Sequence, residues 1–210
     1  TDVVRKIRFL LQKNGFRKLR VGHAGTLDPL ATGVLLVCTG KATKRVEELQ
    51  AERKEYVTDI MLGATTPSYD LEHPIDGTYP WYHITREMLE QAVSELCGER
   101  LQVPPVYSAK KIYGLRAYEY ARGGVEVEMK RALVNIYEME VLSFEAPLLR
   151  LRISCSKDTY IRSIAMELGE NLDSGAHLVA LQRTGSGGYI IEDAYSLEEI
   201  INSFPAVKQN

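Results

Sequence analysis

The chain has 210 residues, 45% of them hydrophobic and 26% charged, and its 26 basic and 28 acidic side chains leave a formal net charge of −2. This is the balance of an ordinary globular protein with ample length for a core, and it argues against a uniformly basic nucleic-acid binder. No apolar run is long enough to span a bilayer and no signal-peptide pattern opens the chain, so neither membrane attachment nor secretion is expected.

Thr1 and Asp2 are placed to cap a helix over 3–14, with Val3, Val4, Ile7, Leu10 and Leu11 on one face and Gly15 closing it. An apolar strand over 34–39 and a helix over 41–50 follow. A loosely alternating strand is expected over 56–62. The stretch GATTPSYDLEHPIDGTYP is too polar and too rich in Pro and Gly for regular structure. Thr85 is a cap for the next helix, with Leu89, Ala92, Val93 and Leu96 inward and Gly98 after it. An extended segment over 103–111 leads to a short helix over 117–122. Three strands are expected over 131–137, 140–145 and 148–156, the last from the alternation in LLRLRISCS. A helix over 160–172 buries Ile161, Ile164, Ala165 and Leu168. A strand over 178–184 and a Ser196-capped helix end the chain. Strands and helices mix without regular βαβ alternation, which predicts an α+β fold around a mixed, mainly antiparallel sheet flanked by helices. The sequence shows no internal repeat, low-complexity linker or domain boundary, so residues 1–210 read as a single domain.

Three cysteines, Cys38, Cys97 and Cys155, are widely separated. Cys38 and Cys155 sit in apolar strand-like runs, and no Cys-x-x-Cys or Cys/His cluster exists. The pattern predicts reduced core thiols, no metal site and a cytoplasmic setting.

Charge is unevenly distributed. Between Pro105 and Arg131 lie Lys110, Lys111, Arg116, Arg122, Lys130 and Arg131, interleaved with Tyr107, Tyr113, Tyr118 and Tyr120. From Thr85 to Glu99 the balance reverses, with Glu87, Glu90, Glu95 and Glu99. This is either a pair of solvated faces or one basic, aromatic surface for nucleic acid.

One short segment stands out: GHAGTLDPLATGVLLVCTGKATK, from Gly22 to Lys44. Asp28 precedes Pro29, a pairing common in turns because the residue before proline is pushed out of the helical region. The glycines around it, with His23 and Thr26, also suit a loop whose backbone approaches another molecule, anchored on a buried strand. From these residues alone the pair is either punctuation or chemistry.

This segment strongly resembles the signature of the TruB family of tRNA pseudouridine synthases. KEYVTDIMLGATT with YDLEHPIDG, PPVYSAKKIYGLRAYEYARGG, and CSKDTYIRSIAMELGENLDSGAHLVALQRTGSG resemble the family's later motifs in the same order. The resemblance implies the pseudouridine synthase fold and an isomerase without cofactor or metal, which converts uridine 55 in the T-loop of tRNA to pseudouridine. It implies that Asp28 is the essential carboxylate, suited to adding to sugar or base and leaving again. It places Tyr56 against the target base, Tyr160 and Arg162 in the site through TYIR, and Leu181 on an apolar wall of the uridine pocket. Arg162 is expected to pair with Asp28 and aim it. His23 is expected beside the flipped nucleotides, filling the stack that the base vacates. The basic, tyrosine-rich segment is expected to grip the T-arm.

The resemblance also shows departures. Asp158 stands in SKDTYIR where the family usually has glycine. An opening strand with Lys-Pro and Gly, which borders the family's active site, is expected to be missing. So is the C-terminal PUA domain, an RNA-binding module that many relatives carry. A monomer acting on tRNA with no obligatory protein partner is therefore expected. The alternatives are a dyskerin-like, guide-RNA-dependent synthase and a non-catalytic tRNA-folding chaperone.

Overall fold

The structure, a computed structural model, describes residues 2–108, 110–112, 114–125 and 127–204, with Lys111, Ile112 and Arg122 described by their backbone alone. Thr1 as a cap and Tyr113 thus lie outside the described residues. In chain order the elements are α1 (Asp2–Lys13), β1 (Val21–Ala24), β2 (Thr32–Gly33), β3 (Leu36–Thr39), a 3-10 turn over Gly40–Arg45, α2 (Val46–Ala51), β4 (Lys54–Leu62), β5 (Ala64–Thr65), β6 (Gly77–Thr78), α3 (Arg86–Leu96) and β7 (Gly98–Gln102). They continue with β8 (Lys111–Ile112), β9 (Leu115–Arg116), α4 (Ala117–Arg122), β10 (Ala132–Glu145), β11 (Leu148–Cys155), α5 (Ile161–Asn171), β12 (Ala176–Ser186), β13 (Tyr189–Ile190) and α6 (Leu197–Ser203). Among the described residues, no helix is long and apolar enough to cross a membrane.

The chain divides into two compact units, one of residues 1–54 and 183–210, the other of residues 55–182. In the first unit, β1 and β3 form an antiparallel ribbon with His23 opposite Val37 and Gly22 opposite Cys38. The apolar face of α1 packs Val4 and Ile7 on Val21, with Leu197 of α6 alongside. A second cluster joins Ala24, Cys38 and Leu49. The helix expected over 41–50 opens instead as a 3-10 turn. Gly40 is left-handed (φ 56°) and the Thr43 hydroxyl donates back to its carbonyl at 2.7 Å, a local bond that competes with the α-helical ladder. At the other end of α2, the buried Lys54 ammonium donates to the carbonyls of Leu49, Gln50 and Glu52 at 3.2, 3.0 and 2.6 Å. These carbonyls have no partner within the helix, and a cation at a helix C-terminus also opposes the negative end of its dipole.

The second unit is built on a sheet of order β12-β4-β11-β10-β7. β10 runs antiparallel to both β11 and β7, so the expected α+β class and mainly antiparallel sheet are found. Two strands expected over 131–137 and 140–145 are one, β10, because irregularities near Tyr137 and Leu142 absorb the breaks in alternation without ending the strand. Leu149, Leu151 and Ile153 of β11 are fully buried, as are Ile164, Ala165 and Leu168 of α5 and Leu89 of α3. Each large apolar side chain so buried contributes roughly 1.5–3 kcal/mol. Thr85 caps α3, accepting from the Met88 amide at 3.3 Å. Cys38 and Cys155 are buried and outside any disulfide, whereas Cys97 is exposed.

Candidate active site

Asp28 lies half-buried in the loop between β1 and β2. Its carbonyl accepts from the Ala31 amide at 3.0 Å, closing a turn over Asp28, Pro29, Leu30 and Ala31. Gly25 (φ 93°) and Gly33 (φ 100°) form the bends at either end. A Cβ at Gly33 would overlap the Arg183 carbonyl oxygen, so only glycine lets the chain pass there. Arg183 is 1% exposed, and its guanidinium donates to the carbonyls of Gly25 and Val34. His23 enters this loop from β1, and its Nδ1 is buried without a hydrogen-bond partner among the described residues.

The second unit holds Tyr56, Tyr160, Arg162 and Leu181. Tyr56 occupies an inward position of β4, and Leu181 is buried on the neighbouring β12. Tyr160 is the residue before α5 and no side chain of its own caps the helix. The buried Gln102 does that work from the end of β7: its carbonyl oxygen accepts from the Tyr160 amide at 2.8 Å and its amide nitrogen donates to the Tyr160 carbonyl at 3.2 Å. Within the first turn of the helix, Ser163 donates to the Val103 carbonyl at 2.8 Å. The start of α5 is thus fastened to the end of β7, and Arg162 projects from that turn.

Arg162 is buried, not an exposed helix charge. Its Nη1 donates to the carbonyls of Tyr107 at 2.9 Å and Ser68 at 3.3 Å, and lies 3.6 Å from Asp70 Oδ2. Asp70 is itself held in place. Its Oδ1 accepts from the Glu72 amide at 2.9 Å and its carbonyl from the Thr66 hydroxyl at 2.7 Å. Beside it, Tyr69 takes a left-handed conformation (φ 60°), and burial pushes its phenol above the usual tyrosine range. His73 lies in the same loop and its ring is 4.2 Å from that of Tyr107. Asp158 also has a positive φ, 61°, a conformation that glycine adopts freely and that aspartate tolerates.

Sequence reasoning missed Asp70, Gln102 and Arg183. Asp70 sits in a polar stretch with no periodicity from which to infer its burial. Arg183 carried a signal: counting by twos from the inward Leu181 lands on it, so β12 alternation alone puts a charged side chain on the buried face.

The basic segment is less compact. Arg116, Lys130 and Arg131 are exposed, whereas the Lys110 ammonium donates to the Lys130 carbonyl at 3.2 Å. The Arg116 guanidinium is 5.9 Å from the centre of the Tyr118 ring, within cation–π reach. The side chains of Lys111 and Arg122 lie outside the described residues.

Residues 13–161 match the family model described as TruB family pseudouridylate synthase, N-terminal domain. The chain is 53% identical over 204 residues to tRNA pseudouridine synthase B of Phocaeicola vulgatus, covering 97% of this chain and 85% of that relative. To the protein of the same name in Bacteroides fragilis it is 58% identical over 176 residues, covering 84% of this chain and 76% of that one. Among solved structures, a chain from the crystal structure of a Cbf5-Nop10-Gar1 complex superposes with a TM-score of 0.71 at 28% identity, covering 95% of this chain and 49% of that chain.

Proposed function

The chain belongs to the TruB family of pseudouridylate synthases, and we propose that it isomerises a uridine of tRNA, position 55 of the T-loop, to pseudouridine. The observation that carries this reading is Asp28, held in a glycine-bounded turn inside the segment matched to the family. The reaction breaks the bond between ribose C1′ and N1 of the base and makes one from C1′ to C5. The proton on C5 is lost and N1 gains one, so atoms balance and no oxidant or reductant is needed. A carboxylate that adds to sugar or base and then leaves divides this exchange into two easier steps.

The target base leaves its stack at a cost of a few kcal/mol. His23 offsets part of that cost by occupying the vacated place. Tyr56 lies against the extruded base, Leu181 forms an apolar wall, and Tyr160 with Arg162 completes the uridine site. The segment from Lys110 to Arg131 holds the T-arm. The enzyme works as a cytoplasmic monomer, without cofactor, guide RNA or protein partner.

The test uses the purified chain and a T-arm stem-loop whose uridines carry tritium at C5. Tritium release to water matching one pseudouridine per RNA is expected. Release only on addition of a guide RNA and further proteins would support the dyskerin-like alternative, and RNA binding with no release would support a chaperone.

A further inference from the structure

We propose that Arg183 is a positioning residue for catalysis, a clamp that fixes both ends of the loop carrying Asp28. This rests on the reading of Asp28 as the reacting carboxylate. The loop from Gly25 to Val34 has Asp28 near its middle and Arg183 at both ends. The Arg183 Nη2 donates to the Gly25 carbonyl at 3.3 Å and the Nε to the Val34 carbonyl at 2.7 Å. The backbone adds a third tie, because the Val34 amide donates to the Arg183 carbonyl at 2.9 Å. A Cβ at Gly33 would overlap the Arg183 backbone, and one at Gly25 would lie 3.3 Å from Nη1, a tight contact.

Desolvation and geometry make this more than packing. A guanidinium that is 1% exposed carries a desolvation cost that an apolar side chain of similar length would avoid. The charge is therefore accounted for by what its N–H groups hold, and those are the two ends of one loop. The geometry is also particular to arginine. A planar fork can donate to two carbonyls from separate nitrogens in fixed directions, whereas a lysine ammonium is a single point on a flexible stem. Covalent catalysis demands that the carboxylate be placed to a fraction of an ångström, and a displacement of about 1 Å can cost about 100-fold in rate.

The experiment compares the full chain with Arg183→Lys and, as a second variant, Arg183→Gln. Three quantities are read: the single-turnover rate at saturating enzyme, the RNA dissociation constant, and amide hydrogen exchange across the chain. The single-turnover rate in Arg183→Lys is expected to fall about 100-fold while RNA affinity stays within about twofold. Faster exchange is expected in the amides of residues 26–34, with the β1–β3 ribbon and α1 protected as before. A general loss of stability would instead raise exchange throughout the unit and leave the rate of the folded fraction intact. If Arg183→Lys does not fold, Arg183→Gln, which removes the buried charge together with the fork, is expected to show the same rate loss with the same local exchange. A rate within about threefold of the parent in the folded variants, or exchange that rises uniformly, overturns the proposal. Asp28→Asn run in parallel separates the two readings: if it is inactive while Arg183→Lys is normal, the clamp fails alone, and if it is active, the role of Asp28 fails first.

Discussion

Arg162 Nη1 stands 3.6 Å from Asp70 Oδ2, and both side chains are almost wholly buried, 3% and 2% exposed. The pair joins the first turn of α5 to the loop after β5, two segments far apart in the chain. Removing one member of a buried pair leaves the other charge desolvated, and that loss exceeds the net worth of the pair. Asp70→Ala is therefore expected to destabilise the protein by about 3–5 kcal/mol, measured by urea denaturation. Asp70→Asn keeps an oxygen for the Glu72 amide and should cost less. Equal stabilities for Asp70→Ala and the parent would mean that the pair contributes nothing to holding α5.

Asp28→Asn keeps the shape of the side chain and removes its charge and nucleophilicity. Pseudouridine formation is expected to fall by about 10⁴-fold or more, the scale on which loss of a covalent nucleophile acts. RNA affinity should change little, because it is dominated by phosphate neutralisation elsewhere on the surface. Gel-shift titration and tritium release measured on the same preparation separate the two effects, and near-normal turnover would remove Asp28 from the chemistry.

How far the sequence carries depends on whether a residue's role is local. The inward set of α5, Ile161, Ile164, Ala165 and Leu168, follows from helical spacing and is found buried. The Ser196 cap follows from a serine three residues before Glu199, and the Ser196–Glu199 capping box is formed in the structure. Gln102 could not be read this way, since its part depends on the end of β7 meeting the start of α5, 58 residues later. Asp70 is the same kind of case, a charge whose partner lies on a distant helix. The helix over 41–50 is α-helical only from Val46, for a local reason that composition hides: Gly40 turns left-handed and Thr43 bonds back to it. Asp28, Arg162 and their companions were named through the family resemblance, not by pattern, because nothing in an Asp-Pro turn or a TYIR tetrapeptide states its chemistry.

Glu167 on α5 gives a prediction about pH. Burial raises its pKa above the ordinary glutamate value, and the nearby Arg100 cation opposes but does not outweigh that. Arg100 Nη2 lies 2.7 Å from Glu167 Oε2, an ion-pair contact outside hydrogen-bond geometry. A carboxyl whose folded pKa is raised binds its proton more tightly in the folded state than in the unfolded state. Its contribution to stability is complete below the unfolded value, about 4.3, and is lost as pH rises through the folded value. Glu167→Gln removes this titration. The stability of Glu167→Gln relative to the parent should therefore increase as pH is raised from near 4 toward neutrality. Denaturant midpoints measured across that window check it, and a relative stability that is flat or falling with pH would contradict the dominance of burial over the Arg100 charge.

The basic segment makes the last prediction, because a chain of net charge −2 must meet RNA phosphates through local cations. Arg116, Lys130 and Arg131 are exposed, and Arg116 lies beside the Tyr118 ring, a pairing that offers both a charge and a stacking face. Lys41, Lys44 and Arg45 form a second cluster of cations, but Arg45 is engaged by Glu48 at 2.9 Å, and the shared bond raises its pKa and lowers that of Glu48. That pair weakens the claim of the second cluster on phosphate, although Lys41 and Lys44 beside it remain exposed. Changing Arg116, Lys130 and Arg131 to Gln together should weaken binding to a T-arm stem-loop. It should also flatten the plot of log affinity against log salt by about 0.7–0.9 for each phosphate that is no longer neutralised. Arg86→Gln, which removes a cation paired with Glu90 on the acidic α3, is the control and should leave the slope unaltered. A triple variant with the parent slope would place the phosphates on another surface, and Lys41→Gln with Lys44→Gln would then be the pair to flatten it.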